Sequence, residues 1–436
     1  MSTEGAQQRI LFASIGSLGD LHPMMGMAVQ LKRRGHRVRI ASTPFYRERV
    51  EALGLEFRPL RPDWNPQDAE LIAQCQDMRR GTEVLLCKLV LPHLRNSYDD
   101  LQAAASDSEG RFDMMIAGEL LYAAPLVAEK LQLKWASAIL APCTFFSVYD
   151  PPVLPNVPEL QHLRWMGPRA HRAMLRMSSA SINHWWKPIR ALRKQEGLGP
   201  GRNPLFADKF SPDLVLALFS RALAAPQQDW PTNTVQPGFV FHDQSIAAEA
   251  LPSELERFLA AGTPPIAFTL GSTAVHNPGI FYAESIKAAR KVGRRALLIG
   301  PDEVIYPSGP DVFVARYAPY SQVFPGCAVI VHQGGAGTTG MAMRAGRPML
   351  IVPYAWDQPD QAARMVRMGA GLTISRKRYS AEHAARALKR LVEEESFAHR
   401  AASMQKVMQA EDGVSSACNA IEEVLMHDYC PSLLSS

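Results

Sequence analysis

ILFASIGSLGDLHPMMGMAVQLKRRGHRVRIA, residues 10–41, decides the fold. Ile10-Leu11-Phe12-Ala13-Ser14-Ile15 is a short apolar run that ends at Gly16, the pattern of a strand buried on both faces. Gly16-Ser17-Leu18-Gly19-Asp20 reads as a turn. From His22 to Arg34 the spacing is helical: Met25, Ala28, Val29 and Leu31 share a face, and Pro23 suits a first helical turn. Gly35 closes the helix and Val38 to Ala41 is the next strand. So tight a strand-turn-helix-strand sequence is a βαβ unit, and it predicts a doubly wound α/β domain.

The same grammar restarts near residue 264. Ile266–Leu270 is followed by Gly271-Ser272-Thr273, and further strands are expected at Ala296–Ile299, Val312–Ala315, Ala328–Val331 and Met349–Val352. Between the two blocks, Ala224-Ala225-Pro226-Gln227-Gln228-Asp229-Trp230-Pro231 and Pro237-Gly238 carry the breakers of a connection. The expectation is two Rossmann-like halves facing a cleft, residues 1–235 and 236–436, with the last helix packing back on the first half. A length of 436 residues suits two large domains.

Composition excludes several classes. At 47% apolar and 20% charged residues the chain is globular. Its net charge of +5 is too small and too spread to indicate nucleic acid. The six cysteines, Cys75, Cys87, Cys143, Cys327, Cys418 and Cys430, form no C-x-x-C pair, so neither a zinc site nor a disulfide framework is expected. No apolar run reaches the length of a membrane span, and Ile10–Ile15 is too short for a signal-peptide core. A cytoplasmic location follows as an expectation. One stretch stands apart: from Gln161 to Gln195 there is no acid, but there are eight Lys or Arg, beside Trp165, Trp185 and Trp186. It reads either as a solvated helix pair with buried aromatics or as an amphipathic flap that touches an acidic, greasy acceptor or makes peripheral contact with the inner face of a membrane.

The chemistry concentrates in Val331-His332-Gln333-Gly334-Gly335-Ala336-Gly337-Thr338-Thr339. Glycines after a strand and before a helix let backbone approach a ligand, and the free amides of the helix start favour phosphate. His332 is placed to donate to a phosphate oxygen. No G-K-[ST] follows, so this is not a Walker loop. Twenty residues on, Val352-Pro353-Tyr354-Ala355-Trp356-Asp357-Gln358 also closes a strand, and an Asp-Gln pair there suits sugar hydroxyls.

The stretch HQGGAGTTGMAMRAGRPMLIVPYAWDQPDQAARMVRMGAG resembles the donor-site signature of family 1 and family 28 glycosyltransferases of the GT-B fold. GSLGDLHPMMGMAVQLKRRGH resembles the opening of bacterial natural-product and sterol glycosyltransferases, while APQQDWP and FTLGSTAVHNPGIFYAESIKAA are similar to the rhamnosyltransferases of rhamnolipid assembly. The resemblance implies that His332, Gly335, Gly337 and Thr338 hold the donor diphosphate, with Ser272 nearby. It implies that Asp357 and Gln358 hold sugar hydroxyls, and that Tyr317 and Ala318, within Arg316–Pro319, hold the base. Gln322 stands where many relatives have tryptophan, and Gly340 where several have an acid for the ribose.

In Gly19-Asp20-Leu21-His22-Pro23 the resemblance assigns the catalytic base to Asp20. His22 is the rival, with an unperturbed pKa of ~6.5, but two residues of helix turn it about 200° from Asp20. Glu119 sits where relatives carry a carboxylate supporting the base. His22, Phe145 and Phe146 are expected to line an apolar acceptor site. The implied activity is inverting transfer of a hexose, glucose or rhamnose, from a UDP- or dTDP-sugar co-substrate to a hydroxyl of an apolar small molecule or lipid. No metal and no other cofactor is implied. The alternatives are a catalytically silent partner protein and a nucleotide-sugar 2-epimerase.

Overall fold

The computed structural model describes residues 7–65, 68–242 and 251–426. Residues 243–250, just past the expected boundary, and Cys430 lie outside the described residues.

Two parallel sheets organise the chain. The first contains β1 (Arg9–Ser14), β2 (Arg37–Ser42), β3 (Glu56–Pro59), β4 (Met114–Gly118), β5 (Lys134–Ile139), β6 (Leu214–Ala217) and β7 (Thr234–Val235), in the order β3-β2-β1-β4-β5-β6-β7. The second contains β8 (Ile266–Thr269), β9 (Ala296–Ile299), β10 (Val312–Ala315), β11 (Val329–His332), β12 (Met349–Ile351) and β13 (Gly371–Thr373), in the order β10-β9-β8-β11-β12-β13. The inner strands β1, β4, β5, β6, β8, β9, β11 and β12 are buried almost throughout because helices cover both faces, whereas the edge strands β3, β7, β10 and β13 are partly exposed. The doubly wound α/β class expected from residues 10–41 is therefore what the chain adopts, twice.

Each sheet reverses its winding once, between β1 and β4 and between β8 and β11. Ligands of open α/β sheets bind outside the strands' carboxyl ends at this point. Register fixes what gathers there. Ala13 pairs with Ala117, which sets the turn after β1 beside Gly118-Glu119. Phe268 pairs with Val331, and His332 with Ile351, which sets Gly271, His332 and the loop after β12 side by side.

The halves are joined by more than the connection. Helix α1 (Leu18–Arg33) packs against the final helix of the described chain (Gly413–Met426), which buries Ala417, Cys418 and Ile421 in the core of the first half. Arg34 Nη1 is 2.7 Å from Asn419 Oδ1 and 2.5 Å from Glu422 Oε2. A second bridge leaves the loop after β5. Asp150 pairs with Arg364, and Val153 N donates to Asp360 Oδ1 at 2.9 Å, so residues 150–153 are held on the helix that begins at Gln358. Arg364 is buried, and its other partner is Asp360 at 2.6 Å. Removing one member of a buried ionic set leaves an uncompensated charge, so this bridge is stiff.

Candidate active site

On the first half, Ser17 caps α1 and Asp20 stands at the third helical position. The Asp20 Oδ2 accepts from Ser17 N at 2.7 Å and from Ser17 Oγ at 2.8 Å, a capping box that fixes the carboxylate plane. Among the described residues, only the amide of Asp20 itself adds a hydrogen bond to the carboxylate beyond those from Ser17. Burial raises the Asp20 pKa, and the bonds from Ser17 offset only part of that rise. The result is a held carboxylate, partly open to the cleft. Ser17 was within reach of sequence reasoning, since S-x-x-D before an apolar helix is the capping signature.

His22 goes elsewhere. Its ring lies 6.0 Å from that of His242 on the interdomain connection, and burial lowers its pKa to about 4. Glu119 follows β4, and its Oε1 accepts from Leu140 N at 2.8 Å. Its pKa is raised, first by burial, with the charge of Asp20 acting in the same direction and Lys209 opposing. Lys209 was not anticipated. It is buried, its Nζ donates to the carbonyl oxygen of Thr144, and burial lowers its pKa to about 8.

The loop after β5 departs from expectation at one aromatic. Phe145 is a core residue: its ring stacks on Trp230 at 4.1 Å and on Phe210 at 5.4 Å, so both faces are taken by protein. This corrects its assignment to the acceptor wall, because a ring sandwiched in the core has no face for a ligand. Phe146 is only half-buried, in a left-handed conformation at φ 50°, with its ring edge-on to Phe206. Ser147 Oγ and Val148 N both donate to Asp229, at 2.6 and 2.7 Å, which ties this loop to the connection.

On the second half, His332 is fully buried at the end of β11. Gly334 N donates to its Nδ1 at 3.0 Å. That bond assigns the tautomer and makes Nε2 the N–H, and this atom is buried with no protein partner. Burial holds the imidazole neutral, with a pKa lowered to about 3. Gly334 has φ 95°, and a Cβ there would stand 2.8 Å from Ile351, so the turn requires glycine. Gly335 then starts α2 (Ala336–Arg344) with no side-chain cap, so its first amides are free for an anion. A Cβ at Gly337 would meet nothing within 4 Å. Thr338 is buried in the first turn, Ser272 and Tyr317 are exposed, Ala318 is buried and Gln322 is half-buried. The side chain of Thr273 lies outside the described residues.

The Gln358 Oε1 accepts from Tyr354 N at 2.7 Å and Ala355 N at 3.0 Å, so this side chain organises its own loop and keeps its amide NH2 for a ligand. Asp357 has its pKa raised to about 7, chiefly by burial, with Asp20 and Glu119 adding repulsion. Two carboxylates of one half and one of the other therefore share a single electrostatic site across the cleft. These carboxylates can take up a proton, while the neutral N–H of His332 and the start of α2 can bind an anion. Among the described residues no group of three or more His, Cys, Asp or Glu could hold a metal ion, and no helix is long and apolar enough to cross a membrane.

Residues 10–149 match the glycosyltransferase family 28 N-terminal domain, and residues 304–423 the C-terminal domain of the erythromycin biosynthesis protein CIII type. The O-mycaminosyltylonolide 6-deoxyallosyltransferase of Streptomyces fradiae is 32% identical, covering 95% of this chain and 97% of its own. The chain belongs to this family of GT-B glycosyltransferases. The vancomycin aglycone glucosyltransferase of Amycolatopsis orientalis is 29% identical over 84% of this glycosyltransferase and 85% of its own length. The crystal structure of a calicheamicin glycosyltransferase shares the fold at a TM-score of 0.73 and 17% identity, covering 98% of this chain and 100% of its own.

One departure from the family pattern has a steric cause. In this glycosyltransferase Gly340 lies in α2 under the interdomain connection, and a Cβ there would stand 2.9 Å from the ring of Phe239. Glycine inside a helix ordinarily costs about 1 kcal/mol relative to alanine. Here the overlap reverses that sign. Gly340→Asp is expected to destabilise by about 1–3 kcal/mol, read as a lowered Tm in thermal unfolding. A Tm equal to the parent's would show that Phe239 moves aside freely.

Proposed function

We propose that this glycosyltransferase is an inverting enzyme that moves a hexose, glucose or a 6-deoxyhexose such as rhamnose, from a UDP- or dTDP-sugar to a hydroxyl of an apolar small molecule or lipid. The observations that support this are Asp20, held by Ser17 and acting electrostatically on Asp357 of the second half, and the buried Nε2–H of His332, which has no protein partner among the described residues and precedes the uncapped start of α2. The relative at 32% identity is named an O-mycaminosyltylonolide 6-deoxyallosyltransferase, which supports a 6-deoxyhexose as the transferred sugar.

The chemistry follows from the groups present. The acceptor hydroxyl gives its proton to Asp20 Oδ1 as its oxygen attacks the anomeric carbon from the face opposite the diphosphate. The bond from that carbon to the diphosphate oxygen breaks with its electron pair on the leaving group. His332 Nε2–H and the first amides of α2 meet the charge that develops there. The segment 332–340 contains no Lys or Arg, so the loop answers the anion with neutral donors and the helix dipole. Asp357 and the amide of Gln358 are placed to orient the sugar hydroxyls. Burial keeps the proton affinity of Asp20 high.

The test is a panel of UDP-glucose, dTDP-glucose and dTDP-rhamnose against macrolide, sterol and 3-hydroxy fatty acid acceptors. Glycosylated product with equimolar nucleotide diphosphate is expected from at least one pair, with inverted configuration at the anomeric carbon. A product of retained configuration, or an epimerised donor with no transfer, would overturn the proposal.

A further inference from the structure

The helix Gly167–Ser181, preceded by the turn Pro158–Met166, is amphipathic in an unusual sense. Its inner side is modest. His171 is its one fully buried side chain among those described, and the His171 Nε2 is 3.1 Å from the carbonyl oxygen of Leu163 in the preceding turn. Its outer side is open. At 100° per residue, Arg172, Arg176 and Arg169 form one ridge, and Ala173 and Met177 a second ridge beside it. All five are exposed, Met177 at 72%. The turn before the helix adds Trp165, 81% exposed, and Met166.

Charge separates this face from an ordinary solvated helix. Arg164 is held by Asp150 at 2.6 Å, whereas no hydrogen bond or ion pair holds Arg169, Arg172 or Arg176 among the described residues. The sequence has no acid between Gln161 and Gln195 to supply one. Solvated arginines usually sit among carboxylates, and exposed tryptophan and methionine are usually isolated. Here they stand together on the exposed side of one helix and the turn before it. A folded protein partner would need a complementary shape, and a nucleic acid would need more rings than Trp165 to stack on. A fluid anionic interface needs neither: apolar side chains enter the headgroup boundary while cations meet lipid phosphates.

We propose that this face docks reversibly on an anionic phospholipid bilayer, with Trp165, Met166 and Met177 inserted and Arg169, Arg172 and Arg176 at the phosphate level. None of these six residues is among those that hold Asp20 or His332, so docking and transfer can be read separately. The experiment is co-sedimentation of the full chain with phosphatidylglycerol–phosphatidylcholine vesicles and with phosphatidylcholine vesicles alone. Binding is expected to the anionic vesicles and to weaken in about 1 M salt, where screening acts over ~3 Å. The triple variant R169Q/R172Q/R176Q should bind about ten- to a hundredfold more weakly, and Trp165→Ser should weaken binding further. Both should keep the parent's circular dichroism and its turnover of a water-soluble acceptor. Absence of binding to anionic vesicles, or equal binding by the triple variant, would overturn the proposal. So would a dimer in light scattering that Trp165→Ser dissociates without any vesicle binding, since the face would then belong to a second copy.

Discussion

Asp20→Asn is expected to lower kcat by about 10²–10⁴-fold, the contribution of a positioned general base, which is roughly 3–5 kcal/mol of barrier. The substitution is nearly isosteric. An amide oxygen in place of Oδ2 still accepts from Ser17 N and Ser17 Oγ, so the capping box and the turn after β1 persist. What changes is the other position, where an NH2 that cannot take a proton replaces Oδ1. KM for the donor should therefore hold while kcat and kcat/KM fall together, the signature of an interaction made only in the transition state. Stability should hold or rise, because burial disfavours the charge that is removed. The pH profile is a second readout. A raised pKa places the acid limb of kcat/KM above the usual carboxylate value of ~3.9, with activity lost as pH falls through it. Because Asp20, Glu119 and Asp357 interact, that limb belongs to the set rather than to one residue. Near-parental kcat in Asp20→Asn would remove Asp20 from the reaction.

What could be seen in the sequence and what could not divides by distance along the chain. β1 and β9 were legible because a parallel strand covered on both faces leaves a continuous apolar run, and β10, an edge strand with Phe313 and Ala315 half-buried, is apolar throughout as well. β11 begins one residue later than its apolar run suggested, since Ala328 donates its N–H to Pro265 outside the ladder. The loop 332–338 was legible because its glycines and the helix it starts are contiguous. Phe145 was misjudged because composition shows that an aromatic is present but not which face of a loop it occupies. Lys209 gave no signal, since its environment is assembled from Thr144, Phe146 and Glu119 on other elements. The bridge between halves was equally hidden: Asp150 and Arg364 are separated by 214 positions, and Val153 and Asp360 by 207. Such pairs are set by how two domains meet, and no local pattern encodes that meeting.

His332→Asn is expected to lower kcat/KM by about 10²–10³-fold, as for loss of one preorganised donor to a developing anion, and to weaken nucleotide diphosphate binding with it. Asparagine separates the two roles of the histidine. Its amide oxygen falls near Nδ1 and can keep the bond from Gly334 N, so the strained turn at φ 95° survives. Nothing replaces the N–H at Nε2. In the parent that N–H is buried without a protein partner, an arrangement that costs roughly 1–3 kcal/mol and that packing alone would not maintain. The Tm of the ligand-free variant should therefore be close to the parent's or above it, while the stabilisation that UDP or dTDP gives the parent should shrink. Binding to the folded state alone stabilises by RT ln(1 + [L]/Kd), so a hundredfold weaker Kd removes about 2.7 kcal/mol at saturating ligand. The decisive comparison is with Asp20→Asn, which should keep the full ligand-induced rise in Tm while losing turnover. If both variants lose the same property, the base and the diphosphate cradle are not the two opposed halves of one site.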